Sequence, residues 1–155
     1  MKLELITVGN KPPGWIREGV TEYQKRMPRE CTLEIRDIAL PKRTKHSEPE
    51  YCRKAEAQKI HSARVAGART VALDVDGKMW ATEDLATKLT HWMAEYPLVQ
   101  FVIGGPDGLD KTVLRDADDV WSLSRLTFPH ALVPVLMAEQ LYRAWTIITH
   151  HPYHR

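Results

Sequence analysis

Three segments in the last third of the chain hold the residue types most able to bind a ligand or move a proton. They are Ile103-Gly104-Gly105-Pro106-Asp107-Gly108, then Leu123-Ser124-Arg125-Leu126-Thr127-Phe128-Pro129-His130, then the terminal His150-His151-Pro152-Tyr153-His154-Arg155. In the first, glycine lets the backbone approach a ligand closely, and Pro106 biases Gly105 toward an extended conformation. An ordinary tight turn would use the same residues. In the second, free backbone groups between Ser124 and Pro129 could read an adenine edge while Leu126 and Phe128 flank the ring. Alternatively, this is a plain helix-entry loop with Ser124 or Thr127 near a cap position. In the third, Tyr153 can stack on a base while His154 and Arg155 meet phosphate or base oxygens; a solvated terminus is the other reading. Glu139 and Arg143 stand four apart, which by default is a helical ion pair, although Arg143 could instead face an anionic substrate.

Several chemistries lack their residues. GxGxxG and the GxxxxGK[ST] phosphate loop are absent. Leu73-Asp74-Val75-Asp76-Gly77 lacks the later acidic ligands of a calcium loop. The three terminal histidines come without HExxH or a cysteine pair, so no metal centre is expected. No GxSxG elbow occurs, and no motif marks Cys31 or Cys52 as a nucleophile.

The elements that must position these segments follow an alternating pattern. Strands are expected at Leu3–Val8, Leu33–Ile38, Thr70–Val75, Leu98–Ile103 and Val120–Leu123. Helices are expected from Pro12-Pro13 to Arg26, Glu48 to Val65, Thr82 to the residues before Pro97, Lys111 to Ala117 and Leu132 to Thr149. Strands separated by helices imply a parallel α/β sheet covered on both faces. The first two segments then fall at strand carboxyl ends, where open α/β sheets bind ligands. The last helix is apolar nearly all round, so a second subunit is expected on its far side. With 155 residues, 43% apolar and 27% charged, the chain suits one domain. No signal peptide or membrane-length apolar run is present, and a reduced, cytoplasmic chain is expected. A net charge of +2 requires nucleic-acid binding to use a local basic patch. The most basic stretch, Lys42, Arg43, Lys45, Arg53 and Lys54, reads by default as solvated surface.

Taken together, the segments resemble the RlmH (YbeA-like) family of ribosomal RNA methyltransferases in the SPOUT superfamily. The resemblance spans nearly the whole chain: Met1-Lys2-Leu3 with Gly9, Thr21-Glu22-Tyr23, Leu73-Asp74, Ile103 to Leu109, Trp121-Ser122-Leu123-Ser124, Leu126 to His130, Glu139 to Trp145, and Tyr153-His154-Arg155. It implies a C-terminal trefoil knot, a homodimer and S-adenosylmethionine as methyl donor. It further implies transfer to N3 of a pseudouridine of 23S rRNA on the assembled ribosome. Cofactor contacts would come from Leu73, Gly105, Ser124, Arg125, Leu126, Thr127, Phe128 and Pro129. Catalytic roles would fall to Arg143, Tyr153, His154 and Arg155. One departure is Pro134, where a basic residue is expected in such a family. Competing readings are a non-catalytic RNA-binding ribosome-assembly protein and a SPOUT methyltransferase acting on tRNA.

Overall fold

Residues 1–9, 11–40 and 43–155 are described by a computed structural model; Lys42 of the basic stretch lies outside them. The chain runs β1 (Lys2–Val8), α1 (Gly14–Arg26), β2 (Thr32–Ile38), α2 (Pro49–Ala63), β3 (Arg69–Met79) and α3 (Thr82–Glu95). It continues through β4 (Leu98–Ile103), α4 (Lys111–Asp116), β5 (Asp119–Ser122) and α5 (Val133–Ile148), and ends in a 3-10 turn, Pro152–His154. All five strands are parallel, in the order β2-β1-β4-β3-β5. This is the α/β sheet that the alternating pattern implied.

Side-chain alternation divides the core into two layers. Leu3, Leu5, Val71, Val99 and Phe101 point to one face, where they meet Val20 of α1, Leu85 and Leu89 of α3, and Met137 and Leu141 of α5. Ile6, Val8, Ala72 and Val102 point to the other, against Ala57 and Ile60 of α2 and Val113 of α4. Consecutive strand residues therefore lie on opposite layers, and the β4 run Val99–Ile103 is buried throughout. On α5, Met137, Ala138, Leu141 and Ala144 are buried, and the helix packs between α1 and α3. Neighbours within the chain thus account for much of the apolar circumference. Val135, Leu136, Ile147 and Ile148 stay partly exposed.

Two elements differ from the sequence expectation. Helix α1 begins at Gly14, with Pro13 flanking it and accepting the Ile16 N–H at 3.1 Å, rather than at Pro12. Strand β3 does not stop at Val75: it bulges after Leu73 and resumes pairing with β5 at Lys78 and Met79. Gly77 makes this possible, because a Cβ there would lie 2.7 Å from the Trp121 carbonyl carbon.

Candidate active site

At the carboxyl ends of β3, β4 and β5 the chain forms a cleft of about 640 Å³, within the usual ~300–1,000 Å³ of small-molecule sites. Each strand delivers one part of its lining. Leu73 comes from the bulge of β3, Gly105 from the turn after β4, and Ser124, Leu126, Thr127, Phe128 and Pro129 from the loop after β5. Three sequence-distant segments meet because these strands are neighbours in the sheet. Arg125 belongs to the same loop but is exposed and outside the lining.

Local bonds give the two loops their shapes. In the first, the Gly108 N–H donates to the Gly105 carbonyl at 3.0 Å, and Gly108 takes φ 78. In the second, the Ser124 hydroxyl accepts the Leu126 N–H at 2.9 Å, and the Ser122 hydroxyl donates to the Ser124 carbonyl at 3.1 Å. Ser124 is therefore a turn residue and not a helix cap; α5 begins from Leu132 without a side-chain cap. Leu126 is 71% exposed, an apolar side chain held beside a cleft with little to cover it.

A charged group lies directly beneath the Gly105 turn. Glu56 of α2 is 2% exposed, and its carboxylate lies close against the Gly105 backbone. Arg43 lies 3.1 Å from Glu56 Oε1, and its other terminal nitrogen lies 2.5 Å from Asp107 Oδ2, a charge contact poorly aligned for a hydrogen bond. Burial pushes the Glu56 carboxyl above the usual carboxylate range, while Arg43 and the Gly105 N–H pull it back. Arg43 is thus not merely solvated surface, as the basic stretch suggested. The sequence carries one clue to Glu56: an acidic residue on the apolar stripe it shares with Ile60 and Ala63.

The tail is docked. His150 takes a left-handed φ of 55, and the His151 N–H then reaches back to the Thr146 carbonyl at 2.8 Å, closing α5. Tyr153 packs edge-on to Tyr142 with centroids 4.8 Å apart, under the Arg143 guanidinium at 5.0 Å, and its hydroxyl donates to Glu139 Oε1 at 3.3 Å. Hydrogen bonding with Tyr23, burial and the Glu139 charge push the Tyr153 phenol up to about 12. Arg143 pairs with Glu139 at 2.6 Å, which is the helical ion pair expected by default. His154 Nδ1 is buried without a hydrogen-bond partner among the described residues, and Arg155 is exposed.

Tyr153 and Arg143 thus meet on α5, and neither they nor His154 and Arg155 contribute to the cleft lining. One chain does not bring them to Gly105 and Phe128. A second hollow of about 830 Å³ adjoins the first, and its basic lining is Lys11, Arg17 and Arg43. It shares Ile103, Gly104, Pro106 and His130 with the first cleft, and the departure residue Pro134 sits in its wall. Among the described residues no three His, Cys, Asp or Glu side chains converge as a metal site, and no helix is long and apolar enough to cross a membrane.

Comparison with known proteins places this geometry in context. Residues 1–154 match the family described as "Predicted SPOUT methyltransferase". The chain is 47% identical to the ribosomal RNA large subunit methyltransferase H of Methylococcus capsulatus over 155 residues, covering 100% of each. It is 46% identical to the protein of that name from Hahella chejuensis and 49% identical to that of Burkholderia lata, covering 100% of this chain and 99% of the relative in both cases.

Proposed function

The chain belongs to the SPOUT methyltransferase family, and from that premise we propose that it methylates N3 of a pseudouridine in 23S rRNA on the assembled ribosome, with S-adenosylmethionine as donor. In this reading it works as a homodimer of single-domain subunits, each with a C-terminal trefoil knot. The observation carrying the proposal is the convergence of Leu73, Gly105, Ser124 and Leu126–Pro129 in one cleft of ligand size.

The residues present suit that cofactor. Leu126 and Phe128 offer apolar surface to an adenine ring, and Leu73 closes the floor beside it. Between Arg125 and Ala131 few amides have an internal partner among the described residues, so backbone groups are free to pair with a base edge. Gly105, having no side chain, leaves room for the Glu56 carboxylate behind the turn that lines the cleft. When bound, S-adenosylmethionine supplies an electrophilic methyl group on a sulfonium.

What remains for the protein is to position the acceptor and handle one proton. The N3 imide is a poor nucleophile until it loses that proton, and the resulting charge spreads onto the flanking carbonyl oxygens. Arg155, exposed and with no acidic partner among the described residues, suits stabilisation of that charge. Arg143 is neutralised by Glu139 and holds the Tyr153 ring. Tyr153, held neutral, stacks on or hydrogen-bonds the base and does not accept the proton. His154 or His130 takes it. In-line transfer requires acceptor and donor within a few ångströms, and one chain keeps the tail apart from the cleft. Two chains, each lending its tail to the other's cleft, would complete the site, which is the physical argument for the dimer.

The test is methyl transfer from labelled S-adenosylmethionine to unmodified ribosomes, free 23S rRNA and tRNA, with the product nucleoside mapped by mass spectrometry. A methyl on one pseudouridine of the large-subunit RNA, in ribosomes only, is expected. Transfer to tRNA alone overturns the substrate, and cofactor binding without transfer to any RNA overturns the activity.

A further inference from the structure

The Arg43–Glu56–Asp107 cluster is not explained by the fold alone. A 2% exposed carboxylate is rarely placed in a core of this kind without a task, and Glu56 stands among Ala57, Ile60 and Ala63, which belong to the apolar layer under α2. It faces the turn that the function reading assigns to the cofactor. A Cβ on Gly105 would sit 3.1 Å from Glu56 Oε1 and 3.3 Å from Oε2, so the carboxylate lies flat against the backbone there. Among the described residues its Oε2 has no hydrogen-bond partner. Arg43 spans the two hollows: it lines the basic one, while its partner Asp107 lines the cofactor cleft.

We infer that Arg43 is a positioning residue for cofactor binding, which it exerts by clamping the Gly104–Gly108 turn through Glu56 from below and Asp107 from the side. The inference rests on the reading of the cleft as the cofactor site. Glu56 backs Gly105 from beneath, Asp107 belongs to the far side of the same turn, and one guanidinium pairs with both. A planar fork with several N–H groups can join two carboxylates at once, which an ammonium does less well. Among the described residues, the groups facing Glu56 are Arg43 and Asp107, with Cys52 one turn earlier on α2 beside Arg43. Removing Arg43 leaves two carboxylates facing each other across the turn. Glu56 must then stay charged, unpaired and repelled by Asp107, which unseats the turn, or take up a proton, which relieves that repulsion and leaves a neutral group still seated against Gly105.

The experiment is calorimetric titration of S-adenosylmethionine into the wild-type chain and into Arg43→Met, Glu56→Gln, Asp107→Asn and the Arg43→Met/Glu56→Gln double variant, at pH 6 to 9. Arg43→Met is expected to raise Kd roughly tenfold or more at pH 8, with the gap narrowing as falling pH protonates Glu56. Glu56→Gln is expected to stay within about threefold of wild type, and the double variant to behave like Glu56→Gln rather than adding the two losses. A merely structural Arg43 would move the melting temperature without this rescue or pH slope. Equal affinity of Arg43→Met and wild type, or simple additivity in the double variant, overturns the inference. If Arg43→Met does not fold, Asp107→Asn on the partly exposed turn decides it: a weaker Kd is expected, and an unchanged one overturns the clamp. Failure of the wild-type chain to bind the cofactor at all is a different result, overturning the function reading itself.

Discussion

Replacing Gly77 by alanine adds a single methyl group to β3, and the structure determines where that group must go. An ideal Cβ lies 2.7 Å from the Trp121 carbonyl carbon and 2.8 Å from the amide nitrogens of Trp121 and Ser122. All three are backbone atoms, so no rotamer change relieves the contact. Ordinary packing needs about 3.5 Å between such atoms, and β5 must therefore move outward by most of an ångström or β3 must lose its bulge. Overpacking against a rigid neighbour costs about 1–3 kcal/mol, and the backbone contact puts Gly77→Ala at the upper end, near 3 kcal/mol. For a chain of this length that is a fall of roughly 6–12 °C in melting temperature. Gly14→Ala is the control: the same atom is added at the first turn of α1, where nothing lies within 4 Å, and stability should hold or rise by a few tenths of a kcal/mol. Scanning calorimetry measures both. Trp121 stacks on Trp80 with centroids 4.8 Å apart, so tryptophan fluorescence reports the displacement independently. A Gly77→Ala melting temperature within 2 °C of wild type, with unchanged fluorescence, would refute the bulge geometry.

Arg155→Ala should lower the methylation rate roughly a hundredfold while leaving S-adenosylmethionine affinity unchanged; parallel loss of both would remove Arg155 from the acceptor side. Phe128→Ala should do the reverse at the cofactor, raising Kd roughly tenfold, and an unaltered titration curve would take the ring out of the cleft. Tyr153 is held protonated up to about 12, above the ordinary phenol value of 10.0, so the stability it contributes is complete below pH 10 and lost as pH climbs toward 12. The ultraviolet difference spectrum between wild type and Tyr153→Phe should accordingly place the missing phenolate near pH 12, and a difference centred at 10 contradicts the docked tail. Burial pushes the Cys31 thiol up to about 11, whereas Cys52 is only partly buried. A disulfide reagent should therefore titrate one thiol in the native chain and two after denaturation, and two fast native equivalents would argue against the Cys31 environment.

Elements of the fold were legible because their signals are local. The continuous apolar run Leu98–Ile103 cannot sit anywhere but inside a sheet covered on both faces, and the alternation at Leu3–Val8 already divides the core into two layers. Gly104 to Gly108 and Ser124 to Pro129 stood out because backbone freedom and turn chemistry are written in residue type. What sequence spacing leaves open is which strand ends become neighbours. The order β2-β1-β4-β3-β5 gathers Leu73, Gly105 and Phe128 into one cleft, and that order is set by packing between segments dozens of residues apart. The passage of β3 through Gly77 depends on the backbone of β5, and the burial of Glu56 beneath Gly105 on the meeting of α2 with a turn nearly fifty residues later. Arg43, in a basic stretch that reads as surface, acquires its role only when two carboxylates arrive beside it. Periodicity and turn propensity are properties of neighbouring residues along the chain, whereas a site is a set of distances across it, and those exist only once the layers have closed.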